Sequence, residues 1–144
     1  MLVYDKAKYH DESVEEEGLP HEHADHHIVY FLRWLIENDL VSREMTKGGG
    51  AGRALKAYRS GRQSIFWLFE WWDRCFVSDM VSAEARPFVD SYFDYQHGQY
   101  LADYDSVLVG ELPSFFHVTY TDASYRLLAA RVSARWDDFR TAAR

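Results

Sequence analysis

The stretch RQSIFWLFEWWDRCF, residues Arg62 to Phe76, decides the fold class of this chain. At 3.6 residues per turn it forms one apolar helical stripe, and Trp67 and Trp71 lie four residues apart on nearly the opposite side. The stripe consists of Ile65, Leu68, Phe69, Trp72 and Phe76. A helix that is apolar on two faces is either covered by other elements on both sides or meets a partner molecule. We expect the first arrangement, with this helix at the centre; the alternative is a homodimer joined through Trp67 and Trp71.

The remaining chain supplies other amphipathic segments that can pack around this helix. Apolar residues recur at helical spacing in residues 20–40, 53–59, 87–95, 100–108 and 121–144. Ser42, Ser64 and Thr121 are residues that cap helix N-termini. The sequence therefore predicts a mainly α protein: a single-domain helical bundle of about five to six helices around the central aromatic helix. At most one short strand is expected, in residues 112–120, and residues 1–19 are predicted to be an acidic N-terminal arm or loop.

The composition places the chain among cytoplasmic globular proteins. Its 144 residues fit one domain, and its 17% aromatic content suits large-area core packing. No apolar run approaches the roughly 20 residues that span a bilayer, and the N-terminus lacks the apolar segment of a signal peptide. A single cysteine, Cys75, excludes an internal disulfide and fits a reducing compartment. We therefore expect no membrane partner.

The net charge of −7 comes from one segment. Seven acidic residues and no Lys or Arg lie between Asp11 and Asp25, and the other 16 acids balance the 16 bases. Bases gather in residues 43–62 and 126–144. An acidic surface repels nucleic acid and attracts basic partners. We therefore predict no nucleic-acid partner, and we expect the basic segment 43–62 to neutralise the acidic one.

The sequence HEHADHH, residues 21–27, is the clearest candidate for metal chemistry. On a helix His23 and His27 lie one turn apart, and two such imidazoles bind zinc or another divalent metal when further ligands arrive from elsewhere. The pattern is not HExxH, because Asp25 stands where the second histidine would be. His27 also lies in an apolar stripe, which favours a core histidine. We therefore expect no cofactor, with a metal at His23 and His27 as the alternative.

Several segments together are similar to an uncharacterised bacterial family, a domain of unknown function. They are YDKAKYH (4–10), GLP (18–20), HIVYFLRWLIENDLVS (27–42), YFDYQHGQYLADYDSVL (92–108) and LPSFFHV (112–118). The resemblance loosely associates the chain with toxin–immunity loci and supplies no catalytic residues.

The shared positions include polar and aromatic residues that we predict to form one cluster. Its predicted members are Tyr4, Asp5, Lys8, His10, Tyr100, Asp103, Tyr104 and His117. Asp5 and Lys8 are expected to pair. Such a cluster either joins the N-terminal arm to the helices or lines a ligand pocket.

The charge distribution and the absence of a recognisable catalytic motif favour a protein-binding module over an enzyme. The most concrete form is a bacterial immunity or antitoxin protein that neutralises a basic toxin through an acidic surface. The predicted contact residues are Glu12, Glu15, Glu16, Glu17 and Asp25. The alternatives are a metal-dependent enzyme that uses the histidines of residues 21–27, and a structural homodimer.

Overall fold

The central element is helix α2, His26–Glu37, in a computed structural model that describes residues 1–143. The chain is mainly helical, with 64% of residues in helices and one short antiparallel strand pair. Ten of the twelve residues of α2 are buried, among them Phe31, Leu32 and Leu35 at 0% exposure. No helix within the described residues is long and apolar enough to cross a membrane.

The other helices are mostly short, and α5 and α8 pack directly against α2. They are α1 (Asp11–Glu16), α3 (Arg43–Thr46), α4 (Gly50–Arg59), α5 (Ile65–Trp71), α6 (Arg86–Tyr92), α7 (Tyr100–Tyr104) and α8 (Asp122–Ala142). The three predicted caps are confirmed: the side chains of Ser42, Ser64 and Thr121 each accept a hydrogen bond from the backbone N–H three residues later. These local signals fix where α3, α5 and α8 begin.

The aromatic helix α5 does not occupy the centre predicted for it. It ends at Trp71, because Asp73 and Arg74 adopt left-handed backbone conformations with φ of 62° and 54°. Ile65, Leu68 and Phe69 are buried, whereas Trp67 is half-buried and Trp71 is 44% exposed. A seven-residue helix has one inner face, so α2, which is longer and apolar nearly all round, forms the core instead. The homodimer through Trp67 and Trp71 stays a prediction.

The strand pair joins the N-terminus to the segment after α5. Strand β1, Val3–Lys6, runs antiparallel to β2, Cys75–Val77, with Asp5 opposite Phe76 and a register irregularity between Val3 and Asp5. The expectation of an arm or loop in residues 1–19 is therefore wrong, since this segment holds β1, a 3₁₀ turn and α1. Residues 112–120, where the sequence allows at most one short strand, form loop and a 3₁₀ turn, Phe115–His117. The sequence does not reveal β1, because strand pairing is decided by a distant partner that local pattern does not show.

The glycine-rich sequence KGGGAG, residues 47–52, contains the start of α4. A Cβ atom on Gly52 would lie 1.8 Å from the carbonyl oxygen of Lys47. Only glycine fits this close approach, so the loop can fold back on the first turn of the helix.

Asp103 connects α7 to the C-terminal helix α8. Its carboxylate accepts hydrogen bonds from Arg135 Nε and Nη2, both at 2.9 Å, from Arg131 Nη1 at 3.0 Å, and from the Tyr92 hydroxyl at 2.7 Å. Burial alone would raise the pKa of Asp103, but the hydrogen bonds from Arg135, Tyr92 and Arg131 outweigh it and hold the pKa below its ordinary value. The ionised carboxylate therefore stabilises the folded state.

We predict that Asp103→Asn lowers the free energy of unfolding by about 2 kcal/mol at pH 7, the size of a lost charge-assisted hydrogen bond. Because the folded pKa is the lower one, this stabilisation is complete above the unfolded pKa near 4 and disappears as the pH falls through the folded value. Urea unfolding of both proteins from pH 7 to pH 3 measures the difference. A difference that stays constant below pH 4 would contradict the ionic origin.

Candidate functional site

The carboxylate of Asp5 is the centre of a buried polar cluster. The Asp5 side chain has 0% exposure, and Asp5 Oδ1 lies 2.9 Å from His10 Nε2 while Asp5 Oδ2 lies 2.8 Å from His27 Nε2. The Tyr95 hydroxyl also donates to Asp5 Oδ2, and the backbone N–H of Lys6 donates to Oδ1 at 2.7 Å. A buried carboxylate is tolerated only when donors replace its lost water, and four groups do so here.

The protonation states follow from this geometry. Burial opposes ionisation of Asp5, but hydrogen bonds from His10 and His27 outweigh it and hold its pKa well below the ordinary range. Complete burial lowers the pKa of His27, and the nearby Asp5 only partly opposes this effect. At neutral pH Asp5 is therefore ionised and His27 is neutral. Because Asp5 accepts, the His27 proton lies on Nε2, and the buried Nδ1 has no partner in the described part of the chain.

Three parts of the chain bring these side chains together. Asp5 lies on β1, His10 ends the 3₁₀ turn that follows it, and His27 lies in the first turn of α2. The His27 ring is 4.9 Å from the rings of both His10 and Phe115, and the Tyr100 hydroxyl donates to the His27 carbonyl oxygen. The cluster therefore fastens the N-terminal segment to the central helix.

A second ionic contact, made by Arg74, also fastens the N-terminal segment. Arg74 donates to Asp25 Oδ1 at 2.7 Å and to Asp11 at 2.9 Å. The hydrogen bond from Arg74 lowers the pKa of Asp11, whereas burial raises the pKa of Asp25 despite the same arginine. Asp25 is 4% exposed, so this predicted contact residue lies beneath the surface and pairs with Arg74.

The acidic side chains of α1 and of the turns that follow it divide into paired and unpaired groups. Glu17 accepts a hydrogen bond from Ser114 and lies 3.3 Å from His117 Nδ1. Glu12, Glu15 and Glu16 are exposed and form no ion pair with any residue in 1–143, and Glu22 shares both properties. We refer to these four, Glu12, Glu15, Glu16 and Glu22, as the acidic face.

The basic segment does not neutralise the acidic face. Arg53 and Lys56 are exposed on α4, and Arg59 lies 3.4 Å from Asp39. No ion pair joins residues 43–62 to residues 11–25 in the part of the chain that the structure describes. The charge separation seen in the sequence is therefore kept on the folded surface.

The histidines of residues 21–27 point to different partners. His23 Nδ1 lies 2.6 Å from the carbonyl oxygen of Phe116, and His26 Nδ1 lies 2.7 Å from that of Val118. His23 belongs to a separate 3₁₀ turn, while His27 Nε2 contacts Asp5. His23 and His27, the pair named as the alternative metal ligands, therefore contact different groups, and His27 lies beside His10 instead.

The predicted polar and aromatic cluster is split into several contacts. Asp5 and His10 meet, with Tyr100 and Tyr104 packed near His27. The remaining members lie apart: Tyr4 donates to Asp90, Asp103 binds two of the arginines of α8 (Arg131 and Arg135), His117 lies beside Glu17, and Lys8 is exposed.

Sequence reasoning missed two members of these sites. Tyr95 donates to Asp5, and Arg74 joins Asp11 to Asp25. Tyr95 lies within residues 92–108, a segment that carries the family resemblance. That resemblance could therefore have pointed to Tyr95 as a site residue. Arg74 carried no comparable signal, because a single arginine at a helix end has no pattern.

Together these features define a mainly helical protein with a short strand pair, a buried aspartate–histidine cluster and an acidic face. The chain belongs to the family described as Domain of unknown function (DUF7832), whose model matches residues 3–118. The matched range includes Asp5, His10, His27, Arg74 and Tyr95, and α8 lies beyond it. No curated protein and no solved structure matches the chain.

We predict that Arg74→Met lowers the free energy of unfolding by about 3 kcal/mol, because it leaves the buried Asp25 carboxylate without its counter-ion. This value is the lower end of the range for buried pairs, since 18% of the Arg74 side chain is exposed. Adding Asp25→Asn removes the stranded charge and should restore more than half of the loss. Chemical denaturation of the wild type, both single variants and the double variant at pH 7 measures the coupling. Additive losses in the double variant would contradict the pairing.

Proposed function

We propose that this protein is a protein-binding module of the immunity or antitoxin type. It acts in the bacterial cytoplasm and uses the acidic face to cover a basic surface on a toxin. The observation that carries the proposal is the set of exposed glutamates that form no ion pair within residues 1–143: Glu12, Glu15, Glu16 and Glu22.

The separation of paired from unpaired acids supports this proposal. Asp5, Asp11, Asp25 and Glu17 are all bound by other side chains of the same chain. The acidic face is left free in the same region, although cations exist elsewhere on the surface. Like charges gathered in this way repel one another, and a cationic partner relieves that repulsion.

The rigid attachment of α1 is the second support. Val14, on the inner side of α1, is 1% exposed. The cluster around Asp5 fixes the turn before α1, Arg74 binds Asp11 in its first turn, and Glu17 bonds to Ser114 just after its end. A binding surface that is already ordered loses less conformational entropy on association.

The surroundings of the acidic face suit a Lys or Arg side chain. A surface cleft of about 500 Å³ beside α1 is lined by Val14 and Leu19 together with Asp11 and Glu15. Long cationic side chains bury their apolar stems and keep the charge at a polar rim. Nearby in sequence, Tyr9 is 62% exposed and offers the kind of aromatic anchor that concentrates binding energy.

The test is a charge reversal of the acidic face. Glu12→Lys, Glu15→Lys and Glu16→Lys together should slow association with a basic protein encoded by the neighbouring gene by at least about tenfold at low salt, because steering depends on these charges. Surface plasmon resonance at several salt concentrations gives the association rate. Co-expression with the toxin gene should show loss of protection by the same variant.

A matched control keeps the net charge identical. Glu44, Glu70 and Glu84 are exposed acids on other elements, and reversing all three changes the charge by the same amount. This control should associate almost as fast as the wild type and should still protect. The proposal would be refuted if both triple variants slowed association equally. It would also be refuted if the wild type gave no protection from the toxin encoded by the neighbouring gene.

A further inference from the structure

The cluster around Asp5 has the composition and spacing of a metal site. Asp5, His10 and His27 each offer one ligand atom, and these three atoms all lie within 4.8 Å of one another. We propose that Asp5, His10 and His27 bind one divalent transition-metal ion of the zinc class. The proposal does not depend on the acidic face or on any protein partner.

The distances fit a small tetrahedral ion. Zinc–nitrogen and zinc–oxygen bonds of about 2.0–2.2 Å place neighbouring ligand atoms roughly 3.3 Å apart. His10 Nε2 lies 2.9 and 3.2 Å from the two Asp5 oxygens, and His27 Nε2 lies 2.8 Å from Asp5 Oδ2. Outward movements of a few tenths of an ångström bring these pairs to the required spacing. Both aspartate–histidine pairs are therefore near the required spacing before an ion arrives, and His10 Nε2 and His27 Nε2 lie within 4.8 Å of each other.

The donor set selects the class of metal. Two imidazoles and one carboxylate suit zinc, iron, cobalt or nickel, whereas magnesium and calcium prefer oxygen ligands alone. Binding requires an unprotonated Nε2 on both histidines, so the single proton of the neutral His27 ring moves from Nε2 to Nδ1 through solvent, without net release, and His10 must adopt the same tautomer. Three protein ligands leave a fourth position open, as in catalytic zinc sites.

The open position faces the accessible side of the cluster. His27 and Asp5 are buried, whereas 18% of the His10 side chain is exposed and Tyr95 is 43% exposed. The Tyr95 hydroxyl lies 3.2 Å from His10 Nε2, beside the ligand atoms. An ion and a water molecule can therefore enter past His10 and Tyr95 without disturbing α2.

One feature sets the expected affinity. Histidine ligands usually donate their second N–H to an outer partner, but His27 Nδ1 is buried and has none in residues 1–143. Absence of such a partner weakens metal binding by about 10–100-fold. We therefore expect the site to bind one zinc ion less tightly than a fully supported site with the same ligands.

The test uses Co²⁺ and Zn²⁺ on the full chain, purified without a histidine tag. Titration with Co²⁺ should produce visible absorption that saturates at one equivalent and is displaced by Zn²⁺. His10→Gln and Asp5→Asn should each weaken binding by at least about 100-fold, more than the loss of an outer partner. His21→Ala combined with His97→Ala removes two exposed histidines outside the cluster and should leave binding unchanged.

Measurements on the wild type keep the proposal testable if a variant fails to fold, which circular dichroism detects. Excess Zn²⁺ should raise the unfolding temperature, because an ion that binds only the folded state stabilises it. X-ray absorption of the zinc-loaded protein should show two imidazole ligands and oxygen. Absence of saturable Co²⁺ binding, binding unaffected by folded His10→Gln, or a zinc spectrum without two imidazoles would overturn the proposal.

Discussion

The burial of one carboxylate, that of Asp5, is the constraint on which the N-terminal half depends. A carboxylate without water must receive hydrogen bonds from other groups, and Asp5 obtains them from His10, His27 and Tyr95. To supply those donors, β1 must pair with β2, the 3₁₀ turn must bring His10 back, and α2 must begin beside both. The same arrangement sets the direction in which α1 leaves the cluster.

The fold separates two kinds of acidic residue that are mixed along the sequence. Asp5, Asp11 and Asp25 turn inward and are bound by histidines or by Arg74, so their charges organise the structure. The acidic face turns outward, and its charges remain available to other molecules. Buried ion pairs contribute little net stability but strongly penalise wrong arrangements. This division explains how a highly acidic segment can be ordered while part of its charge stays exposed.

The sequence predicted elements well where the signal is local. Ser42, Ser64 and Thr121 mark helix starts by capping chemistry, and the long apolar period of residues 20–40 indicated α2. Prediction from the sequence failed where an element depends on contacts with distant parts of the chain. The six-residue α1 is too short to be stable alone and is held by Val14, Arg74 and the cluster around Asp5. The candidate site was foreseen only in part: Asp5, His10 and His27 were named, but in different groups.

By itself, therefore, the sequence determined the helical class, the caps and the location of the net charge, because each follows from neighbours along the chain. Only the tertiary structure decided which apolar helix is central, since α2 and α5 are both rich in aromatics and differ in how much surface they bury. The tertiary structure also decided that His27 contacts Asp5 rather than His23. It likewise decided that Asp25 is buried while Glu15 is exposed. These outcomes depend on strand pairing and burial, which bring together residues that are far apart in the chain.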